Sequence, residues 1–197
     1  MLYLLDTCAY LRLAKDIDPL LGSTYLPPPE SAWVTSDVHT EWSRAPRLQS
    51  KFHWVADAQY VANRAAFTVQ LTGKMPTQIM QMKSSLFSFA SSNGKKLQSL
   101  GYTIPSPVDC MVLAYVFTLN QNGKVTTAVS DDGGLGWVAK QMKIPYVQSE
   151  DLVKRMFDAN TITLPQITAM AGYLDYINDL PAAWKARGPA LFGIALP

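Results

Sequence analysis

The chain has 197 residues and a formal net charge of +2, and 48% of its residues are hydrophobic. This length suits one domain, or one domain with an appendage, and the apolar content can fill a substantial core, which argues against disorder. The small net charge does not indicate a strongly basic nucleic-acid-binding protein, so the placement of the charges matters more than their sum.

The first third of the chain predicts two short strands, each followed by a helix. Residues 1–5 form an apolar strand, and a helix follows over about 7–15. A loop rich in Pro, Gly and Ser leads to a second strand at 33–35, and the next helix begins near Ser36, whose hydroxyl can cap it. Apolar strands of this kind are typical of a sheet that is buried on both faces.

Two longer segments carry helical periodicity. Apolar residues recur at steps of three and four over 52–72 and again over 77–100, which predicts a helix packed on one side in each segment. The short link 73–76 contains Gly and Pro. We therefore predict a helical hairpin, at about residues 50–100, inserted into the domain.

The segment Ser106–Asp109 predicts a strong helix start, with Ser as the cap, Pro at the first helical position and an acid in the first turn. The helix that follows is apolar all round, so we expect it to be buried on more than one side. Next come a strand at 125–130, a helix at about 135–142 and a strand near 145–147. This order with short links predicts a parallel sheet.

The C-terminal part predicts a helical extension. A helix is expected from Ser149 to about residue 159 and another over about 165–180, whereas the residues from Gly188 onward are expected to trail over the surface. Ile167 and Leu174 belong to an apolar stripe on the second helix that needs a partner. That partner is either the rest of the chain or a second copy in a homodimer. We therefore divide the chain into a domain at 1–152 and an extension at 153–197.

The chain contains no predicted membrane span. Asp6 interrupts the apolar start before a signal-peptide core could form. The longest apolar run, Met111–Phe117, is far shorter than the roughly 20 residues that cross a bilayer. Cys8 and Cys110 form no C-x-x-C pair, so we expect reduced thiols. These features predict a soluble cytoplasmic protein with no membrane partner.

Four acids lie where strands end or helices start. Asp6 ends the first strand, Glu41 lies in the helix after the second, Asp109 opens the buried helix, and Asp132 follows the third strand. Ligands of open α/β sheets bind outside the carboxyl ends of the strands, so these side chains are expected to converge. Four carboxylates in one cleft repel one another unless a cation neutralises them. Carboxylate oxygens suit Mg²⁺ or Mn²⁺, which predicts a metal site that acts on phosphate esters.

A plainer interpretation is that some of these acids only cap helices. Capping accounts for Asp109 and for Asp132. It accounts less well for Asp6, because an acid at the end of an apolar strand is costly to bury without a partner. His39 and His53 have no second His or Cys at metal-ligand spacing and are expected to be surface or packing residues.

Basic residues follow three of the acids along the chain. A positive rim around an acidic centre suits a phosphate backbone, although such charges are also ordinary on solvated helix faces. The residues of this predicted rim are Arg12, Lys15, Arg44, Arg47, Lys51, Lys140 and Lys143.

Several of these segments together resemble the PIN-domain nucleases. Leu4–Thr7 (LLDT) resembles the family's opening strand and acid, Glu41 its second acid, Ser106–Asp109 (SPVD) its third, and Val129–Leu135 (VSDDGGL) the motif that carries its fourth. The resemblance covers about residues 1–152. It implies a three-layer α/β/α PIN-like fold with a central parallel sheet, to which this chain adds the inserted helical hairpin and the C-terminal helical extension.

The resemblance also implies an activity. The protein would be a Mg²⁺- or Mn²⁺-dependent endoribonuclease that hydrolyses phosphodiester bonds, and it could be the toxin of a toxin–antitoxin pair. Its catalytic and metal-binding residues are then Asp6, Glu41, Asp109 and Asp132. Ser130 would orient a metal-bound water, and Arg12 and Arg44 would contact the substrate. Asp131 is expected to serve the turn. The implied partners are an RNA substrate, an antitoxin protein and a second copy of the chain.

Two departures from the family pattern keep an alternative open. Cys8 stands where the family commonly has Asn or Ser, and Gly134 replaces a frequent auxiliary Asp. The alternative is a catalytically silent PIN-like module that binds RNA or a protein. A phosphatase of the haloacid-dehalogenase type is excluded, because it needs a second Asp where this chain has Cys8.

Overall fold

The computed structural model describes residues 1–197 and contains one parallel sheet enclosed by helices. The sheet has four strands in the order β2-β1-β3-β4, and each neighbouring pair is parallel. The strands are β1 (Leu2–Leu5), β2 (Ser31–Val34), β3 (Thr126–Val129) and β4 (Tyr146–Val147).

Eleven α-helices and one 3₁₀ helix complete the chain. The 3₁₀ helix spans His53–Ala56. The α-helices are α1 (Thr7–Leu13), α2 (Asp37–Arg44), α3 (Pro46–Lys51), α4 (Ala58–Ala66), α5 (Met75–Ser92), α6 (Gly94–Ser99), α7 (Cys110–Gln121), α8 (Gly133–Gln141), α9 (Ser149–Asp158), α10 (Leu164–Tyr176) and α11 (Ala182–Phe192).

The sheet separates two hydrophobic cores because successive side chains of a strand point to opposite faces. Leu5 of β1 and Val34 of β2 enter the first core, with residues of α1, α4, α9, α10 and α11. Leu4 of β1 and Ala128 of β3 enter the second core, with residues of α5, α6, α7 and α8. The predicted α/β class with a parallel sheet is therefore confirmed, and the helices form a layer on each face.

The predicted helical hairpin at about residues 50–100 is not formed. The first segment contains the 3₁₀ helix and α4, and then Phe67–Val69 runs extended beside β2, where the Val34 N–H donates to Phe67 O at 3.1 Å and the Val69 N–H donates to Val34 O at 3.0 Å. Tyr60 of α4 lies in the first core, whereas Leu86 of α5 lies in the second. Helical periodicity identifies a buried face but not the core that buries it, so the pattern did not separate the two helices.

The C-terminal extension packs against the sheet within the same chain. Ile167 and Leu174 of α10 are fully buried in the first core, which is the intrachain alternative for this apolar stripe. The prediction that residues from Gly188 onward trail over the surface is wrong. Helix α11 continues to Phe192, and Leu196 is only 8% exposed. Apolar side chains pack this end of the chain into the first core, although it contains Gly and Pro.

None of the helices combines the length and the hydropathy needed to cross a bilayer. Both cysteines are free thiols, with Cys110 buried at the start of α7.

Candidate acidic site at the carboxyl edge of the sheet

The first two predicted acids are joined by Thr7. Asp6 directly follows β1 and caps α1, since its Oδ1 accepts a hydrogen bond from the Ala9 N–H at 2.6 Å. The Thr7 hydroxyl donates to the carboxylate of Glu41 on α2. Sequence reasoning noted Thr7 only as part of LLDT, whereas its contact places it as the residue that orients Glu41. Asp6 therefore does cap a helix, and its burial is nonetheless costly, as expected, because burial raises its pKa.

The other two predicted acids are held by backbone N–H groups at helix starts. Asp109 accepts from the Ser106 N–H at 2.7 Å, and the Ser106 hydroxyl accepts from the Asp109 N–H at 3.2 Å. This reciprocal pair has the hydrogen-bond pattern of a capping box, but it closes a turn at 107–109, and α7 begins only at Cys110, three residues later than predicted. Asp132 caps α8 by accepting from the Leu135 N–H at 2.7 Å.

Three of the four predicted acids line one small cavity. Asp6, Glu41 and Asp109 surround a space of about 40 Å³, together with Asp37 and Cys8. Such a space is large enough for a water molecule or a small ion. Asp37 lies one turn before Glu41 on α2, so the two side chains share a face of that helix. The parallel strands therefore do bring these acids together at their carboxyl ends.

Burial and mutual repulsion disfavour the charged forms of these acids. Burial raises the pKa of Asp6 to about 7, although hydrogen bonds from Ser130 and Ala9 oppose the shift. Burial and the neighbouring charges of Asp109 and Asp37 raise the pKa of Glu41. Burial and the charge of Asp109 raise the pKa of Asp132, so Asp109 is close enough to act on both neighbours. A cation in the cavity would relieve this repulsion.

The donor chemistry of the cavity suits a hard divalent cation, but the ligand set is not assembled. No group of three or more His, Cys, Asp or Glu side chains is arranged to hold a metal ion. One oxygen of Asp6, of Asp109 and of Asp132 accepts a hydrogen bond from a backbone N–H. The second oxygen of each carboxylate is the one that would face a cation.

A larger cavity continues from the acidic one and carries two cations. It has a volume of about 420 Å³ and shares Asp37 and Glu41 with the smaller cavity. Arg44 of α2 and Lys83 of α5 line it, and neither forms a salt bridge. Lys83 is close enough to lower the pKa of Asp37 against the effect of burial. Lys83 was not among the predicted site residues, because helical periodicity does not show that α5 lies beside the acids.

Arg12 and Ser130 do not occupy the positions expected of substrate-binding residues. The Arg12 guanidinium is 16% exposed and forms salt bridges with Asp131 at 2.7 Å and Asp179 at 2.8 Å. Ser130 is fully buried, and its hydroxyl accepts from the Asp132 N–H at 3.2 Å and contacts Asp6. Both residues therefore make internal contacts that support the acidic site.

The predicted basic rim is only partly free. Lys51 forms a salt bridge with Asp179 at 3.1 Å, and the Lys15 ammonium lies 3.4 Å from the centre of the Tyr173 ring. Arg44, Arg47, Lys140 and Lys143 are exposed. Counting Arg12, three of the seven rim residues are thus engaged in internal contacts, which the order of charges along the chain did not reveal.

Comparisons with known proteins found no relative of this chain. No protein-family model, curated protein or solved structure matches this chain. What this chain does must therefore be inferred from its own fold and from the chemistry of its residues.

Proposed function

We propose that this protein is a divalent-metal-dependent ribonuclease that hydrolyses phosphodiester bonds at the acidic cavity. The observation that carries the proposal is the convergence of Asp6, Glu41 and Asp109 on one cavity at the carboxyl edge of a parallel sheet. The resemblance to PIN-domain nucleases points to the same acids. The same resemblance implies an antitoxin partner, which is part of the proposal.

The electrostatics of the site support a cation there. Burial and neighbouring carboxylates raise the pKa of Glu41 and of Asp132, and burial raises that of Asp6. A site that holds several acids at such cost is typical of function rather than of packing. Asp6, Glu41, Asp109 and Asp132 would hold Mg²⁺ or Mn²⁺, which supplies Lewis-acid polarisation of the phosphodiester and activates water.

The chain's own residues position the site and the substrate. The Thr7 hydroxyl orients Glu41, and the buried Ser130 hydroxyl links Asp6 to the turn before Asp132. Arg44 and Lys83 line the cavity that continues from the acids, where their charges can hold a phosphate of the RNA backbone. Lys83 takes the role that the sequence had suggested for Arg12.

A specific observation favours a second candidate, a catalytically silent PIN-like module that binds RNA or a protein. Asp6 and Asp132 cap helices, Asp109 closes the turn before α7, and no three acids are placed to share a metal ion. In that case the acids serve the fold, and the cations Arg44 and Lys83 would still bind a phosphate backbone.

The test combines a metal titration with an RNA cleavage assay. Wild-type protein and the Asp109→Asn variant are titrated with Mn²⁺ by calorimetry and then incubated with single-stranded and structured RNA. The Asn side chain keeps an oxygen for the Ser106 N–H but removes the charge. We expect Mn²⁺ affinity to fall at least about 10- to 100-fold in the variant, as it does for residues that tune metal sites, and cleavage to be lost.

Asp57→Asn is the matched control, because Asp57 is exposed and lies outside the acidic cavity. It should bind Mn²⁺ and cleave RNA as the wild type does. Metal-independent cleavage, or equal cleavage by the Asp109→Asn variant, contradicts the nuclease proposal. If none of the proteins shows a heat of Mn²⁺ binding and RNA binding is retained, the result supports the catalytically silent module.

A further inference from the structure

A second cavity at the same edge of the sheet is lined by aromatic rings. It has a volume of about 370 Å³ and lies beside α8, on which Asp132 is the cap. We call it the aromatic pocket. Its lining residues are Tyr102, Gly133, Gly136, Trp137, Lys140, Tyr146, Val147, Gln148 and Asp151.

Two glycines allow tyrosine rings to pack against the first turn of α8. A Cβ at Gly133 would lie 2.6 Å from the ring of Tyr102, and a Cβ at Gly136 would lie 3.0 Å from the ring of Tyr146. Any larger residue would displace the rings that form the walls. Trp137 is held by stacking on Phe89, with ring centres 5.9 Å apart and planes 18° apart.

The aromatic pocket is connected to the acidic site through Tyr146. The Tyr146 hydroxyl donates to the backbone carbonyls of Ser130 and Asp132, the latter at 3.2 Å. These carbonyls belong to the turn that carries the fourth acid. A group bound in the pocket therefore lies beside the turn that carries Asp132.

The polar groups of the pocket leave a cation and an amide for a ligand. The Asp151 carboxylate is already bound by Arg187, and the Gln148 Oε1 accepts from the same arginine at 3.1 Å. The Gln148 amide N–H groups remain as donors. Lys140 is exposed and forms no salt bridge, so its charge is the uncompensated one at this cavity.

We propose that the aromatic pocket binds an unstacked nucleobase of single-stranded RNA while a neighbouring phosphate lies at the acidic cavity; the proposal rests on the proposed ribonuclease function. Aromatic side chains stack on unpaired bases, a lysine neutralises the adjoining phosphate, and an amide donor reads a base edge. A base inside a duplex cannot enter such a pocket. The protein therefore selects single-stranded segments.

The test follows the fluorescence of a short single-stranded RNA that carries 2-aminopurine, in buffer with EDTA so that binding is read without cleavage. The wild type, Tyr102→Ala and Tyr102→Phe are compared. Tyr102 is 40% exposed and its hydroxyl has no hydrogen-bond partner, so Phe keeps the stacking surface. We expect a loss of affinity of about fivefold or more in Tyr102→Ala, as for other base-stacking residues, and less than about twofold in Tyr102→Phe.

Lys140→Gln guards against a folding artefact, because Lys140 is exposed. It should lower the slope of log affinity against log salt by about one. The proposal is overturned if the wild type does not bind the RNA, or if Tyr102→Ala binds it as tightly as the wild type does. It is also overturned if the wild type binds duplex RNA, or adenosine monophosphate, as tightly as it binds the single-stranded RNA. Cleavage with unchanged Tyr102→Ala affinity rejects the pocket alone, whereas the expected binding without cleavage rejects only the nuclease.

Discussion

Asp6 is both a helix cap and a residue of the acidic cavity, two interpretations that were alternatives at the level of the sequence. It caps α1 through Ala9, and it also lines the acidic cavity beside Glu41. The cap uses one carboxylate oxygen, and the carboxylate also receives a hydrogen bond from the Ser130 hydroxyl while it faces the cavity. The same residue can therefore be explained by local structure and still contribute to a site.

The first prediction concerns the charge of Asp6 and the pH dependence of stability. Burial raises its pKa in the folded protein to about 7, above the value near 4 expected in the unfolded chain. The folded state then binds the proton more tightly, so Asp6 lowers the stability of the metal-free protein progressively as the pH rises from about 4 through 7. Asp6→Asn keeps an oxygen for the cap but cannot ionise. At pH 8.5 in EDTA we expect it to be more stable than the wild type by roughly 2–4 kcal/mol.

Urea denaturation at pH 8.5 and at pH 4.5 measures this effect. The advantage of Asp6→Asn should shrink at pH 4.5, where the wild-type carboxyl is protonated in the folded state. Asp57→Asn, at an exposed position, should differ from the wild type by no more than about 0.5 kcal/mol at either pH. An Asp6→Asn variant that is no more stable than the wild type at pH 8.5 would show that this carboxylate is not disfavoured in the fold.

At the level of elements, the C-terminal extension is coupled to the acidic site. Asp179, which follows α10, pairs with Arg12, and Arg12 pairs with Asp131 in the turn between Ser130 and Asp132. Asp131 also accepts from the Ser149 N–H at 2.9 Å at the start of α9. Ion pairs between buried groups fix geometry when every partner is present. The extension thus helps to hold the turn that carries the fourth acid.

The second prediction tests whether the extension is part of the core. Trp184 of α11 is fully buried, and its Nε1 donates to Ser149 Oγ at 2.9 Å. Trp184→Ala removes this packing and should lower the free energy of unfolding by about 3–5 kcal/mol. Urea denaturation monitored by circular dichroism measures the loss.

Tyr176 provides the matched control, because it is an aromatic residue of the same extension that is 84% exposed. Tyr176→Ala should change the free energy of unfolding by no more than about 0.5 kcal/mol. Similar small effects of the two substitutions would mean that the extension is not held on the sheet in solution.

On the scale of the whole molecule, the two cores account for the apolar stripes that the sequence left without a partner. Ile167 and Leu174, which had suggested a homodimer, are fully buried within the chain. The third prediction is therefore that α10 does not form a dimer interface through this stripe. Light scattering should give a mass close to the 21.8 kDa of one chain. A mass twice as large would require an interface elsewhere on the surface.

The parallel sheet and the edge of it at which Asp6 and Asp132 lie could be predicted from the sequence. The apolar strands that precede Asp6 and Asp132 are short and continuous, as buried parallel strands are, and the carboxyl ends of parallel strands necessarily share one edge. The capping segment Ser106–Asp109 was also recognisable, because its hydrogen bonds join residues three apart. These features depend on local chemistry and strand direction alone.

The contacts that those local features make could not be predicted and are seen first in the tertiary structure. It placed α4 and α5 in different cores, engaged Arg12 with Asp131 and Asp179, and brought Lys83 to the acids. It also assembled the aromatic pocket from segments far apart in the chain. Periodicity and residue type describe which side of an element is buried or charged. The partner on that side is chosen by packing across the whole molecule, where many weak contacts act together.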